Sequence, residues 1–246
     1  MAFDSLAGRA VVVTGASSGI GEATVHALAE AGANVVLAAR SGETLEEIAD
    51  DVEAEYDTET LVAPTDVTEE DAVEALIEAT VSEFGELYGL VNNAGLGLGD
   101  DVESMDTDDF ATMQAVNVDG VFYATRAAIP HVRESGGHLL FVGSFAGHYP
   151  RPGNPVYAAT KWWVRGFAHS VAGQVGEEGI GVTVVNPSEV RSEFGGGDGE
   201  SFAERFEPGE VTEPEEIAEA IAFALSQERS SASEIDLYRR DKFAEF

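Results

Sequence analysis

The chain has 246 residues, 44% of them hydrophobic, which fits one α/β domain with a sizeable core. Its 46 acidic and 13 basic residues give a formal net charge of -33, which argues against nucleic acid as a partner. The chain has no cysteine, which excludes disulfides and thiolate sites, and its five histidines show no ligand spacing, so we expect no metal.

Apolar segments suited to β-strands alternate with amphipathic helical segments along the whole chain. This alternation predicts an α/β fold in which helices cover both faces of a parallel sheet. The seven predicted strands span residues 9–15, 33–40, 59–67, 87–95, 137–144, 181–187 and 233–238. Helices are predicted to begin near Gly19, Gly42, Thr68, Thr107, Pro155 and Thr212. Thr68 with Asp71, and Thr212 with Glu215, have the spacing of capping boxes.

Three glycines, Gly15, Gly19 and Gly21, lie between the first strand and the first helix in the segment TGASSGIG. Glycine lets a backbone approach a pyrophosphate closely, and a helix N-terminus offers free N–H groups. At the first turn of a doubly wound sheet this pattern indicates a dinucleotide site, although any tight strand-to-helix turn also uses glycine.

The second predicted strand ends in Ala38-Ala39-Arg40-Ser41, without the acid that binds a ribose 2′-hydroxyl. An arginine suits bidentate binding of a 2′-phosphate. We therefore expect NADP(H) as the cofactor, with NAD(H) less favoured. The alternative is that Arg40 is an ordinary surface cation at a strand end.

Tyr157 and Lys161 are four residues apart at the start of a predicted helix, so their side chains share one face. A nearby ammonium favours the phenolate, so we expect the pKa of Tyr157 to fall toward the range of a general acid or base. Ser144 ends the fifth strand, where its hydroxyl can hydrogen-bond a carbonyl or alcohol oxygen. Helical Tyr and Lys pairs are usually just solvated, but Lys161 is one of two lysines in this chain.

The segment 192–210, SEFGGGDGESFAERFEPGE, is rich in glycine and acid and precedes the last long helix. It is either an active-site flap or an ordinary surface loop, because long loops in compact domains are often lids. We take residues 192–212 as the candidate substrate-binding flap. Arg191, just before it, is interpreted as a plain loop cation rather than a ligand for a carboxylate substrate.

Five motifs together resemble the short-chain dehydrogenase/reductase family: TGASSGIG at 14–21, NNAG at 92–95, Asn117 in AVNVDG, Ser144, and the segment from Tyr157 to Lys161. The resemblance covers essentially the whole chain and implies a single Rossmann-type domain, residues 1–246. It implies a catalytic tetrad of Asn117, Ser144, Tyr157 and Lys161. Tyr157 would exchange a proton with the substrate oxygen, which Ser144 would orient. Lys161 would contact the nicotinamide ribose and lower the pKa of Tyr157, and Asn117 would hold a water.

The same resemblance implies which residues contact the cofactor. Asp66 and Val67 would meet the adenine, and Asn93 with Ala94 would line the central region. The full expected set is Gly15, Ser17, Ser18, Gly19, Ile20, Gly21, Arg40, Asp66, Val67, Asn93, Ala94, Gly95, Tyr157, Lys161, Pro187, Val190 and Ser192. The family usually has Pro-Gly and then a threonine after the sixth strand, whereas this chain has Pro187-Ser188 and Ser192.

These residues predict an oxidoreductase that transfers a hydride between NADP(H) and a carbonyl or secondary alcohol. The segment HYPRPGNPVYAATKWWVRGF more narrowly resembles the branch that acts on 3-hydroxy acids such as serine, and 3-oxoacyl esters are the other substrate class considered. Two alternatives remain: a regulatory protein that binds NADP(H) without turnover, and a scaffold whose cofactor is structural.

The acidic residues are spread along the chain rather than gathered in blocks, which favours adaptation to salt. At about 1 M salt the Debye length is ~3 Å, so their mutual repulsion is screened. No run of 18 apolar residues and no leader segment occurs. We therefore expect a cytoplasmic protein of a salt-rich host, with no membrane partner. The family resemblance implies a homotetramer or a homodimer.

Overall fold

The computed structural model describes residues 4–99, 101–195 and 200–245. Seven parallel strands form one sheet in the order β3-β2-β1-β4-β5-β6-β7. They are β1 Ala10–Thr14, β2 Asn34–Ala39, β3 Thr60–Pro64, β4 Gly89–Asn92, β5 His138–Val142, β6 Gly181–Pro187 and β7 Glu234–Leu237. The predicted single α/β domain with a seven-stranded parallel sheet is confirmed.

Helices connect the strands and lie on both faces of the sheet. They are α1 Gly19–Glu30, α2 Gly42–Glu55, α3 Glu70–Phe84, α4 Thr107–Gln114, α5 Val121–Ser135, α6 Pro155–Val175, α7 Phe202–Arg205 and α8 Pro214–Leu225. A π-helical turn, Ala115–Gly120, joins α4 to α5. Short 3-10 turns span Asp4–Leu6, Phe145–Gly147, Gly176–Glu178 and Lys242–Glu245. Among the helices of the described residues, none combines the length and apolar character needed to cross a membrane.

Both predicted capping boxes are wrong, each for a local reason. Thr68 does not cap α3, because its hydroxyl and its N–H both donate to the Asp66 carboxylate. The helix begins one residue later, after Glu69, which makes no side-chain cap hydrogen bond. At α8 the capping box is shifted by one residue and pairs Glu213 with Glu216. Pro214 then occupies the first turn, where a missing N–H costs nothing.

The core consists of two layers separated by the sheet. Val11 and Val13 of β1 face the layer formed with α1, α2 and α8, whereas Val12 faces the layer formed with α3, α5 and α6. Side chains alternate along a strand, so a sheet covered on both faces needs apolar residues at every position. This explains the uninterrupted valine run in β1, where every residue is buried.

The strand order reverses at β1, which has β2 on one side and β4 on the other. In open parallel sheets such a reversal opens a crevice at the carboxyl ends of the strands, where ligands bind. The loops after β1 and β4 carry the glycine segment at 15–21 and the NNAG motif, so the fold brings these two motifs together.

Candidate active site

A cleft of about 1050 Å³ runs along the carboxyl ends of the strands. Residues from the loops after β1, β2, β3, β4, β5 and β6 line it, together with the start of α6. Of the predicted cofactor residues, all except Gly21 line this cleft. Of the predicted tetrad, Ser144, Tyr157 and Lys161 line it and Asn117 does not. The structure therefore gathers nearly all of the predicted site into one place.

The glycine turn, residues 15–21, requires glycine for two reasons. Gly15 and Gly19 have φ angles of 66° and 55°, in the left-handed region that side chains disfavour. Gly21 lies beneath the turn, where a Cβ would overlap the Gly15 carbonyl oxygen. Ser18, the N-cap of α1, makes no side-chain cap hydrogen bond, so the first N–H groups of α1 stay open toward the cleft. This cradle fits a bound phosphate.

Thr14 ties the glycine turn to the end of β4. Its hydroxyl oxygen accepts hydrogen bonds from the N–H groups of Asn93 (3.0 Å) and Ala94 (3.1 Å). The Asn93 side chain donates in return to the carbonyl oxygens of Thr14 (2.9 Å) and Gly15 (3.1 Å). Sequence reasoning missed Thr14. The available signal was a polar residue at the end of an apolar strand, directly before the first glycine of the turn.

Arg40 lies at the other end of the cleft, exposed at the end of β2. The Asp66 carboxylate lies near it and accepts hydrogen bonds from the Thr68 N–H (3.0 Å) and hydroxyl (2.7 Å). These hydrogen bonds lower the pKa of Asp66, and the charge of Arg40 lowers it further. Within the described ranges no acid lies within 4.0 Å of the Arg40 guanidinium. Its donors are therefore available to a ligand phosphate.

Tyr157 and Lys161 lie in the first two turns of α6, on one face as predicted. Asn154 fixes the start of this helix, because its side chain accepts a hydrogen bond from the Tyr157 N–H. The Lys161 ammonium is buried, donates to the Val142 carbonyl oxygen at 2.9 Å and lies 5.9 Å from the centre of the Tyr157 ring. Ser144 follows β5 and lines the cleft with Tyr157, where its hydroxyl acts to lower the pKa of the phenol. These three side chains form a compact polar group at one end of the cleft.

The expected fall in the pKa of Tyr157 is wrong: the surrounding protein raises this pKa. Burial raises the pKa of Tyr157 to about 12, and this outweighs the nearby Ser144 hydroxyl and the charge of Arg151, which act in the opposite direction. Burial also lowers the pKa of Lys161 to about 8. Both shifts have one cause, since removing water destabilises the charged form of either group.

Asn117 lies in the π-helical turn and is 1% exposed. Its side chain accepts from the Leu96 N–H at 2.9 Å and donates to the Leu96 carbonyl at 2.8 Å and to the Thr160 hydroxyl at 3.1 Å. Gly95 separates it from the cleft: a Cβ on Gly95 would lie 3.4 Å from Asn117 Oδ1 and 3.5 Å from Lys161 Nζ. Asn117 thus joins the loop after β4 to α6, and π-turns of this kind are common at functional sites.

The beginning of the predicted flap contacts both ends of the site. Ser192 lies against the glycine turn, where a Cβ on Gly19 would be 3.0 Å from Ser192 Cβ. The Phe194 ring lies 5.6 Å from the Tyr157 ring and would be 2.8 Å from a Cβ on Gly97. Residues 196–199 of the predicted flap are outside the described residues.

Sequence reasoning also missed the C-terminal tail, residues 238–244. The Arg239 N–H donates to the Ser188 hydroxyl at 2.9 Å, so the serine that replaces the expected glycine binds the tail. Lys242, the second lysine of the chain, is 4% exposed and forms an ion pair with Glu189, which lines the cleft. The available signal was a lysine in a chain that has almost none. Arg191 pairs with Glu213 at 2.9 Å, as expected of a loop cation.

The chain is similar to known proteins over most of its length. Residues 9–200 match the family model described as short chain dehydrogenase. The NADP-dependent 3-hydroxy acid dehydrogenase of Schizosaccharomyces pombe is 36% identical over 229 residues, which cover 90% of this chain and 88% of that protein.

Two solved structures are also similar. One is an alcohol dehydrogenase from the archaeon Thermococcus sibiricus complexed with 5-hydroxy-NADP, with a TM-score of 0.86, 29% identity and coverage of 94% of this chain and 97% of that one. The other is a 3-ketoacyl-(acyl-carrier-protein) reductase from Brucella melitensis complexed with NADH, with a TM-score of 0.84, 31% identity and coverage of 95% and 98%. With the family model matching most of its length, this chain belongs to the short-chain dehydrogenase family of oxidoreductases.

Proposed function

We propose that the protein is an NADP(H)-dependent reductase or dehydrogenase that interconverts a carbonyl compound and a secondary alcohol, with Tyr157 as the general acid or base. One observation carries the proposal: Ser144, Tyr157 and Lys161 stand at one end of a cleft that also contains an open glycine turn and a free arginine. A dinucleotide bound along such a cleft would place its reactive ring beside those three side chains.

The choice of NADP(H) rests on Arg40. Its guanidinium lines the cleft at the end of β2, where a 2′-phosphate would lie, and the position carries no acid for a 2′-hydroxyl. The similar proteins include both NADP and NADH complexes. Arg40→Ala is expected to weaken NADPH binding at least tenfold and NADH binding by less than twofold in fluorescence titrations. Equal losses for the two cofactors would refute the role of Arg40.

The cofactor-binding residues and the tetrad have separate tasks in this mechanism. The glycine turn, with the open N–H groups of α1, would bind the pyrophosphate. Asp66 and Val67 would contact the adenine, and Ala94 would line the central region of the cofactor. A bound reduced nicotinamide supplies the hydride. Ser144 and Tyr157 would donate hydrogen bonds to the substrate oxygen, which gains negative charge as the reaction proceeds.

The raised pKa of Tyr157 suits proton donation. A phenol with a pKa of about 12 is protonated at neutral pH, so it holds the proton that a developing alkoxide needs. Lys161, with a pKa of about 8, is mostly charged at pH 7 and would bind the ribose hydroxyls through its ammonium. Asn117 holds the loop after β4 against α6, which keeps Tyr157 and Lys161 in place, and would hold a water that links them to solvent.

Tyr157→Phe tests the mechanism, with Tyr123→Phe on α5 as the matched control outside the cleft. NADPH oxidation with a panel of aldehydes, ketones and oxo acids is expected to fall by 10²–10⁴-fold, because the general acid is removed. NADPH affinity should change by less than threefold. A variant that keeps wild-type turnover would exclude Tyr157 as the proton donor.

A regulatory protein that binds NADP(H) without turnover is the second candidate, and a scaffold with a structural cofactor is the third. Both would bind NADPH tightly and oxidise it with no member of the panel. The polar group of Ser144, Tyr157 and Lys161 favours the enzyme, since a sensor has no use for a proton donor in its cofactor cleft.

The oligomeric state, the location and the salt dependence are further proposals. Phe110 on α4, Phe122 on α5 and Trp162 on α6 are 45%, 39% and 48% exposed, which supports a subunit interface on these helices and a homotetramer or homodimer. Light scattering in 2 M salt should give a mass of two or four chains.

The net charge of -33 supports a salt-rich cytoplasm, and dialysis into dilute buffer should unfold the protein.

A further inference from the structure

Charge is distributed differently in the cleft and in the chain as a whole. The chain has 13 basic and 46 acidic residues. Among the described residues that line the cleft, acids and bases are equal in number: Arg40, Arg151, Lys161 and Arg205 against Asp66, Glu189, Glu193 and Glu200. Cations are therefore concentrated in the cleft, as expected for an anionic ligand. Cofactor phosphates account for Arg40, but Arg151 lies at the opposite end.

Arg151 lies beside the reactive group. Its guanidinium carbon is 5.8 Å from the centre of the Phe145 ring, and Phe145 directly follows Ser144. Its charge acts on the Tyr157 phenol, so the two groups share one electrostatic environment. Among the described residues, the nearest acid oxygen is Glu189 Oε1, at 3.9 Å from Arg151 Nη2. This distance is too long for a hydrogen bond, so Glu189 does not occupy the donors of Arg151.

The charge of Glu189 is neutralised from another side, by the C-terminal tail. The Lys242 ammonium donates to Glu189 Oε1, and the Arg239 guanidinium lies 3.8 Å from Oε2. Burial by itself raises the pKa of Glu189, but the hydrogen bond and charge of Lys242 keep it below its usual value, so the carboxylate stays ionised. Arg151, Arg239 and Lys242 thus lie around the Glu189 carboxylate, and of these three cations Arg151 is the one whose charge acts on Tyr157.

We propose that Arg151 binds an acidic group of the substrate, so that the enzyme acts on a free hydroxy or oxo acid rather than on an ester. This inference rests on the proposed function. It selects between the two substrate classes expected from the sequence, 3-hydroxy acids and 3-oxoacyl esters. The Glu189–Lys242 pair is the support: without Lys242, the Glu189 carboxylate would draw Arg151 to itself and away from the substrate. A planar guanidinium binds a carboxylate through two parallel hydrogen bonds, which would also fix the orientation of the reacting carbonyl.

The other cations near the reactive end have different partners. Lys161 donates to the Val142 carbonyl, and Arg191 pairs with Glu213. Arg205 lies over the Phe202 ring of α7. Phe202 contacts Phe194, which in turn contacts Tyr157, so two aromatic rings separate Arg205 from Tyr157. Arg151 is thus the cation best placed for a substrate carboxylate.

A matched substrate pair tests the proposal: 3-oxobutanoate and its methyl ester, which differ in charge and share the reacting carbonyl. Wild-type kcat/KM with NADPH is expected to be at least tenfold higher for the acid. Arg151→Gln should lower kcat/KM for the acid at least tenfold and for the ester less than twofold, with unchanged NADPH affinity. Arg151→Lys should retain part of the preference. Arg133→Gln, which removes a surface pair with Glu178, is the control.

Lys242→Met tests whether the Glu189–Lys242 ion pair keeps Arg151 available to the substrate. It should lower kcat/KM for the acid while leaving that for the ester within threefold of wild type, a split that general destabilisation would not produce. Binding of 3-hydroxybutanoate to the NADPH complex, measured calorimetrically, gives a readout independent of turnover and should be lost in Arg151→Gln.

Equal use of acid and ester, or equal losses on both in Arg151→Gln, would overturn the proposal while leaving the reductase assignment intact. If no carbonyl compound is reduced at all, the proposed function is wrong, and the calorimetric titration still decides whether Arg151 binds a carboxylate.

Discussion

The two ends of the cleft are built by different means. Around the glycine turn, the structure depends on backbone geometry: positive φ angles, a glycine packed against a carbonyl oxygen, and hydrogen bonds between Thr14 and Asn93. Around Ser188 and Glu189, it depends on the C-terminal tail: the Arg239 N–H donates to Ser188, and the Lys242 ammonium pairs with Glu189, which is 53 residues away in sequence.

This difference indicates what each end tolerates. A backbone cradle recognises a ligand common to many enzymes, and its geometry admits few substitutions. A wall made of side chains from distant segments can be altered residue by residue, so it is the place where substrate preference can change while the cofactor site stays the same. We expect substitutions at the first end to abolish cofactor binding, and substitutions at the second to change stability and substrate choice.

Gly21→Ala should have the largest effect. The added Cβ would overlap the Gly15 carbonyl and lie 2.7 Å from Asn93 Nδ2, so the turn must move. We expect at least a 100-fold loss of NADPH affinity in fluorescence titrations and a destabilisation of about 1–3 kcal/mol. Gly173→Ala, on an exposed and open position of α6, is the control and should be neutral or slightly stabilising. Unchanged NADPH binding in Gly21→Ala would show that the turn is not a rigid cradle.

Lys242→Met should destabilise the protein by about 3 kcal/mol in urea unfolding, because it leaves the partly buried Glu189 carboxylate without its hydrogen-bonded cation. The double variant Glu189→Gln/Lys242→Met should recover most of this loss. The exposed pair of Arg133 and Glu178 is the comparison, and Arg133→Met should cost less than about 1 kcal/mol. A loss in Lys242→Met no larger than that would mean that the tail is not held by the ion pair.

Acid should weaken the protein in two separate pH windows. Burial lowers the pKa of His138 to about 4 from an ordinary 6.5, so the unfolded state binds the proton first and stability falls as the pH drops from 6.5 to 4, by about 3 kcal/mol. The pKa of Glu189 is also lowered, so its contribution is present above about pH 4.5 and is lost below it.

Urea unfolding measured across pH separates the two windows. His138→Leu should remove the upper one, whereas Glu189→Gln should affect only the lower one. His131→Leu is the control for the histidine substitution. If stability is flat between pH 6.5 and 4 in the wild type, His138 does not titrate as a buried neutral group.

Arg191→Gln should have the smallest effect. Arg191 pairs with a partly exposed Glu213, so we expect a change below about 1 kcal/mol in unfolding free energy and no change in kcat/KM for acids. A tenfold loss of activity on 3-oxobutanoate would identify Arg191, rather than Arg151, as the group that binds the substrate carboxylate.

Much of the fold was predictable because its signals are local. The alternation of strand and helix patterns placed all seven strands, and the starts of four helices match the structure to the residue. The capping boxes failed because Thr68 bonds to Asp66, a side-chain competition that spacing does not reveal. In the site, the glycine turn and the pair of Tyr157 and Lys161 were predictable because short spacings fix their geometry.

What the sequence determined by itself is the fold class, the glycine turn and the grouping of Ser144, Tyr157 and Lys161, since strand ends and helix periodicity set these positions. Tertiary structure decided the direction of the Tyr157 pKa shift, because burial depends on every segment packed around the phenol. It also decided that Lys242 pairs with Glu189 and that Glu189 lies 3.9 Å from Arg151. Those contacts join distant segments, and no local pattern encodes them.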